Sequence, residues 1–359
     1  MSTCIYISGK AGSGKTAVAL SLAFKLQEKG YRVGYFKPQG FQKLPSKRED
    51  DDIQLMKNVL SLPFSGEIIS PVSLTPFYLS STSLDSKEDA LEKLDHSLQT
   101  ISKECEVVLI EGSITPYLGK CYEMDDYSLA QRWDASLLQV IKAEDDFELD
   151  DSLSYLDVAE AKYLTSLGCI FNNVSEEQWD TTNNLYTELL EGLGVKMLGA
   201  LPRRSELATP TAREFYKALG GDLLAGKDYL HRKVENVVVG TMTIESALSY
   251  LRRSANKAVV TGGDRSDMAL TAMETNTSVI ILTGGLHPDV KVLSQAEEKN
   301  IPVILVHYDT FTTMENLHGV YRSIHSENEK AMELIRKDTD IYLNLSPVYQ
   351  HVKERVDRE

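Results

Sequence analysis

The chain has 359 residues, enough for two or three domains, and its 42% hydrophobic content is ample for sizeable cores. A formal net charge of −15 excludes a general nucleic-acid binder, because nothing neutralises phosphates in bulk. Four scattered cysteines, Cys4, Cys105, Cys121 and Cys169, fit a reducing compartment without structural zinc; with no basic-then-apolar leader and no apolar run near ~18 residues, the expected setting is the cytoplasm, away from membranes.

The first apolar run, Cys4-Ile5-Tyr6-Ile7, reads as a strand. It runs into Gly9-Lys10-Ala11-Gly12-Ser13-Gly14-Lys15-Thr16, and a helical pattern follows with Val18, Leu20, Leu22, Phe24 and Leu26 over a polar remainder. Strand, glycine loop and helix are the context of a phosphate-binding loop. Gly9, Gly12 and Gly14 let successive N–H groups converge on one anion, and the helix N-terminus adds partial positive charge. Lys15 supplies a full charge for terminal phosphates, and the Thr16 hydroxyl suits a Mg²⁺ ligand. The expected ligands are therefore ATP and Mg²⁺. Lys10 directly after the first glycine is unusual. With it, Ser8 to Thr16 resembles the deviant Walker A loop of the ParA/MinD-like ATPases. The resemblance implies that Lys10 reaches a partner's nucleotide across a homo-oligomer; the bland alternative is a solvated loop lysine.

Tyr31 to Pro38 reads as a second strand stopped by Lys37-Pro38. Arg48-Glu49-Asp50-Asp51-Asp52 precedes an apolar-periodic run, so the acids either cap a helix or place one carboxylate at a phosphate-bound metal. A polar helix is expected around Lys87 to Thr100. Val107-Val108-Leu109-Ile110 then ends in Glu111-Gly112, a buried strand with a Walker B-type acid at its tip. Ser136–Ile141, Gly168–Asn173 and Val195–Pro202 are further strand candidates. The pattern restarts with Val237–Gly240, Ala258–Thr261, Val279–Leu282 and Val303–Val306, with helical stretches such as Ile244–Arg253 and Val290–Lys299 between them. Strand–helix alternation implies an α/β fold, a P-loop parallel sheet flanked by helices with a second, smaller α/β unit. Pro202, Pro210 and Gly220-Gly221 punctuate the boundary. The expected domains are 1–212 and 213–330, with a helical, charged tail at 331–359 whose last residues fray.

Several stretches match one family together. The loop at Gly9 to Thr16, Gly34-Tyr35-Phe36-Lys37-Pro38, Asp51-Asp52, Glu111-Gly112, Asn172-Asn173-Val174 and Leu198 to Pro202 resemble the dethiobiotin synthetase-like P-loop domain. Gly263-Asp264-Arg265-Ser266-Asp267, Thr283-Gly284-Gly285 and Ile301-Pro302-Val303-Ile304 resemble a DRTGG domain. In this order the two resemble the N-terminal regulatory part of long bacterial phosphotransacetylases. The resemblance implies that Lys15 and Thr16 hold phosphates and Mg²⁺, and that Asp52 and Glu111 are the acids near the metal. It implies that Lys37 meets a carboxylated substrate and Asn172 recognises adenine. The chain departs from synthetases in its compact loop, in Phe41 where they have a small hydroxyl residue, and in Ser113-Ile114-Thr115-Pro116-Tyr117 after the acid. All three departures fall on the organic-substrate side. Because the chain ends at Glu359, the acetyltransferase domain is expected to be absent. The expectation is a Mg-ATP-binding regulatory protein with slow or partner-stimulated hydrolysis; the alternative is an ATP-dependent carboxylate or carbamate ligase. A small-molecule ligand or protein partner is expected at the second unit's strand ends.

Overall fold

The computed structural model describes residues 2–41, 51–80, 86–204, 207, 209–318, 320, 324 and 329–357. The chain divides into two compact units, residues 1–204 with 324–359, and residues 205–323. Arg48, Glu49 and Asp50 of the acidic run lie outside the described residues.

The first unit contains β1 (Thr3–Ser8), β2 (Val33–Phe36), β3 (Gln39–Phe41), β4 (Val72–Leu74), β5 (Val107–Glu111), β6 (Ser136–Lys142), β7 (Ser166–Val174) and β8 (Met197–Pro202). Six form one sheet in the order β2-β5-β1-β6-β7-β8, every neighbouring pair parallel; β3 and β4 make a separate parallel pair. The strands read as continuous apolar runs because both faces are covered. Along β1 and β5, Cys4, Tyr6, Val108 and Ile110 enter one apolar cluster with Trp133 and the helix Lys87–Ser102. The intervening Ile5, Ile7, Val107 and Leu109, all fully buried, point to the other face. This alternation matters for the site: in the register Ile7 pairs with Glu111, so Glu111 and Ser8 project to opposite faces.

The helices Glu329–Tyr342 and Ser346–Val356 pack in this first unit. The Asn344 N–H donates to the Leu198 carbonyl of β8 at 2.7 Å, and the Arg204 guanidinium meets Asp338 at 2.6 Å. Ser136 of β6 and His351 share a hydrogen bond of 2.8 Å. The Arg336 guanidinium lies 3.5 Å from the centroid of the Phe24 ring. Ile335, Leu345, Val348 and Val352 are buried, each stabilising by roughly 1.5 to 3 kcal/mol.

The second unit contains β9 (Asp222–Ala225), β10 (Asn236–Val239), β11 (Lys257–Gly262), β12 (Thr277–Thr283) and β13 (Val303–Leu305), in the order β10-β11-β12-β13-β9. Four strands are parallel, as the alternation predicts; β9 pairs antiparallel with β13. Odd and even positions of these strands feed two cores. Val259, Ile280, Leu282, Val303 and Leu305 face one way, and Ala258, Val260, Val279, Ile281 and Ile304 the other. Among the described residues no helix is long and apolar enough to cross a membrane.

Candidate functional site

The site grows from the end of β1. The helix that follows, Lys15–Glu28, starts at Gly14 in the left-handed region (φ 84°), with no side-chain cap and no acid in its first turn. Its first N–H groups and the positive end of its dipole are thus left for an anion. Elsewhere Ser86, Asp125 and Asp145 cap helices with their own side chains. A Cβ on Gly14 would fall on the Asn172 amide, and one on Gly9 would sit 2.5 Å from the Val140 carbonyl oxygen. At Gly9 the backbone of β6 leaves no room for a side chain, and at Gly14 the left-handed backbone and the Asn172 amide favour glycine.

Lys15 is buried, and its ammonium donates to the carbonyls of Gly9 at 2.7 Å and Lys10 at 3.0 Å, so it spans its own loop. Burial lowers its pKa, against the pull of Glu111. At the tip of β5, Glu111 accepts from the Thr16 hydroxyl at 3.0 Å and from Tyr35 of β2 at 2.9 Å. The Lys37 ammonium lies 2.9 Å from Asp52 and 4.0 Å from Glu111. Thr16, Lys15, Lys37, Asp52 and Glu111, spread over nearly a hundred positions of sequence, therefore meet at one strand-end crevice. The donors are a hydroxyl and carboxylates, which suit a hard cation such as Mg²⁺ that keeps most of its ligands as water and phosphate oxygen. The buried Ser13 hydroxyl, which makes no hydrogen bond among the described residues, and the uncapped helix start fit a phosphate chain.

Two residues have partners that sequence did not show. Asn172, at the end of β7, donates to the Ser13 carbonyl at 2.7 Å and so buttresses the loop. The Lys10 ammonium meets Asp151 at 2.6 Å and Glu148 at 3.1 Å, both on the helix Asp146–Ala161. Burial disfavours its charge, but the hydrogen bonds to Asp151 and Glu148 outweigh this and hold the ammonium above its ordinary range.

A second acid beside the loop escaped sequence reading altogether. Asp126 is buried and accepts from Ser8 at 2.6 Å, from Tyr6 at 3.2 Å and from the Ser113 N–H at 3.3 Å. In sequence, Asp125-Asp126 before Tyr127-Ser128-Leu129 signals only a helix start, and Asp125 is the residue that caps it.

Burial pushes both acids up, Glu111 to about 7 against the nearby charge of Lys37, and Asp126 to about 7 against its hydrogen bond from Ser8. A folded pKa above the ordinary 4.5 or 3.8 means the native state binds protons that the unfolded chain has released. Their stabilising contribution is full below those ordinary values and lost as pH rises through about 7. In EDTA, Glu111→Gln and Asp126→Asn should therefore each gain stability relative to wild type between pH 5 and pH 8, on the order of 3 kcal/mol. Urea unfolding at the two pH values measures this; a difference that does not change with pH contradicts it.

In the second unit, loops after the parallel strands lace together. Thr283 and Thr310 share a hydrogen bond of 3.0 Å, and the Gly284 N–H donates to the Tyr308 carbonyl at 2.8 Å. Arg265 donates to Asp267 at 3.1 Å and to the Met242 carbonyl at 3.2 Å. Leu286, Tyr308 and Phe311 are exposed around these loops.

Residues 4–211, the stretch that holds the loop, Glu111 and Asn172, match the family described as an AAA domain. The chain belongs to that family. Residues 214–320 match the DRTGG domain. The AAA domain followed by DRTGG is the N-terminal architecture of phosphate acetyltransferases, to which the chain is homologous. The Pseudomonas putida phosphate acetyltransferase is 24% identical over 360 residues, covering 94% of this chain and 50% of that protein. The Nitratidesulfovibrio vulgaris phosphate acetyltransferase is 26% identical over 358 residues, covering 92% and 49%. The chain thus spans about half the length of these curated relatives. The solved MinD cell division protein of Aquifex aeolicus aligns with a TM-score of 0.37 at 14% identity, over 57% of this chain and 84% of that one.

Proposed function

We propose that the AAA domain binds ATP with Mg²⁺ and hydrolyses it slowly or on stimulation by a partner, and that its state regulates a process read out through the DRTGG domain. The observation that carries this reading is the uncapped start of the helix Lys15–Glu28, with Lys15 spanning the loop above it and Thr16 bonded to Glu111 at its mouth. Gly9, Gly12, Gly14, Lys15 and Thr16 hold the phosphates, and Asn172 lies on the adenine side. Thr16, Glu111 and Asp52 hold the metal. When bound, Mg²⁺ neutralises charge on the phosphate oxygens. Lys15 and Lys37 would add fixed positive charge there, and Glu111 would supply the negative charge that holds the metal. The setting proposed is the cytoplasm, and the reading is tested by calorimetry of ATP and ADP with and without Mg²⁺.

A second reading, a carboxylate or carbamate ligase of dethiobiotin synthetase type, is favoured by Lys37, whose ammonium sits between Asp52 and Glu111 where a carboxylated substrate would meet the terminal phosphate. ADP release that depends on an added carboxylate or carbamate would select this reading. The loops around Arg265, Gly284 and Gly285 are the proposed place for a small ligand or protein partner of the DRTGG domain.

Lys10 links nucleotide to assembly in this reading. To reach another subunit's phosphates, its ammonium must leave Asp151 and Glu148. Surface ion pairs of this kind are individually worth about 0.2 to 1 kcal/mol, so exchange for a phosphate is affordable. Sedimentation with Mg-ATP is expected to show a dimer for wild type, a monomer for Lys10→Ala, and a tighter dimer for Asp151→Asn/Glu148→Gln. A wild type that stays monomeric under all conditions rules the cross-subunit role out.

A further inference from the structure

We propose that Asp126 is a positioning residue of the phosphate site, locking the base of the loop at Ser8 to the turn that follows Glu111 so that loop and metal-side acid keep one fixed relation. The inference rests on the nucleotide-binding reading above and adds to it a residue on the opposite face of the sheet.

Three donors, two from β1 and one from the turn after Glu111, converge on this one carboxylate. Ser8 is the residue immediately before Gly9, and its hydroxyl donates to Asp126 at 2.6 Å. The Ser113 N–H, two residues after Glu111, donates at 3.3 Å, and the Tyr6 hydroxyl at 3.2 Å. Between Glu111 and Ser113 stands Gly112, where a Cβ would collide with the Asp126 carboxylate. Gly112 is thus what admits the acid to the turn. Helix capping does not account for Asp126, because Asp125 takes the Ser128 N–H at 3.2 Å. Fold stability does not account for it either. A buried carboxylate carries a desolvation cost that an apolar side chain of similar size avoids.

The geometry accounts for it. Glu111 and Ser8 end adjacent strands and face opposite ways, so no direct side-chain contact can hold them together. The Asp126 carboxylate reaches round from the Ser8 face to the turn beyond Glu111. Such outer partners commonly change metal affinity by about 10- to 100-fold when removed. A shift of the loop against Glu111 by a fraction of an ångström would misplace phosphate oxygens relative to the metal-side carboxylate while leaving the loop's own amide cradle intact.

The test is calorimetry of ADP on the full chain, in EDTA and in Mg²⁺, for wild type, Asp126→Asn, Ser8→Ala and the double variant. The readout is the gain in affinity that Mg²⁺ confers. For Asp126→Asn this gain is expected to fall by about tenfold, while affinity in EDTA changes by less than about twofold. Ser8→Ala should lower the gain in the same direction, and the double variant should lose less than the product of the two single losses, since both remove one contact. An unchanged Mg²⁺ gain in Asp126→Asn overturns the proposal, as does an equal loss with and without the metal. If Asp126→Asn does not fold, an unchanged gain in Ser8→Ala overturns it. A wild type that binds no ADP overturns the nucleotide reading itself, which is a distinct result.

Discussion

Replacing Lys15 with alanine is expected to weaken Mg-ATP binding by at least ~100-fold. The ammonium already spans the loop, donating to Gly9 and Lys10 carbonyls at 2.7 and 3.0 Å. A phosphate held by the loop's N–H groups would compete with those carbonyls for the ammonium. Each hydrogen bond between charged groups contributes about 1.5 to 3 kcal/mol, so two such contacts account for the loss. Burial lowers the lysine's pKa, so its charge is held at a cost that a polyanion relieves. At a hundredfold excess over its dissociation constant ATP stabilises wild type by about 2.7 kcal/mol; the same concentration should leave Lys15→Ala almost unshifted in a thermal scan. Lys15→Met keeps the bulk of the side chain and should lose binding equally, which separates charge from packing. Retention of wild-type affinity by either variant would show that the phosphates do not sit on this loop.

Glu111→Gln is expected to bind ATP within about threefold of wild type yet to slow Mg²⁺-dependent hydrolysis by about 100-fold. The amide has the size of the carboxylate and still offers an oxygen to Tyr35 or Thr16, which hold the acid at 2.9 and 3.0 Å. What it lacks is the negative charge with which, in the proposed reading, Glu111 would hold the metal. Tyr35→Phe removes one of the two hydrogen bonds and should cost about tenfold, through orientation rather than charge. Single-turnover hydrolysis with and without Mg²⁺ measures both. A Glu111→Gln chain hydrolysing at the wild-type rate would place Glu111 outside the metal's surroundings.

Much of this site was legible before folding because its signals are local. The loop from Gly9 to Thr16 is one contiguous stretch, and Gly12 and Gly14 sit at positive φ, which glycine adopts at least cost. Glu111 was legible because four apolar residues ending in an acid and a glycine read as a buried strand with its charge at the tip, and the chain forms that strand at Val107–Glu111. Tyr35, Ser8 and Asp126 were not legible. Tyr35 looks like any aromatic in an alternating strand, and Asp126 looks like half of a helix cap. Their roles follow from strand register, which sets Tyr35 on the face of Glu111 and Ser8 on the other.

By itself, the sequence determined the phosphate loop, the two runs of strand and helix, and the apolar continuity that makes the first sheet parallel, four strands of the second parallel, and both two-sided. These are consequences of period, glycine placement and hydrophobicity, which act within a few residues. Only the tertiary structure decided that β9 returns antiparallel beside β13, that Lys10 lies on Glu148 and Asp151, and that the charged helices after residue 329 pack in the first unit. Those last helices read as a polar tail because their buried residues, Ile335, Leu345, Val348 and Val352, are few and widely spaced among charges. Their partners, β8, β6 and the helix after the phosphate loop, lie more than a hundred residues away, and pairings at that distance leave no periodic trace in the chain.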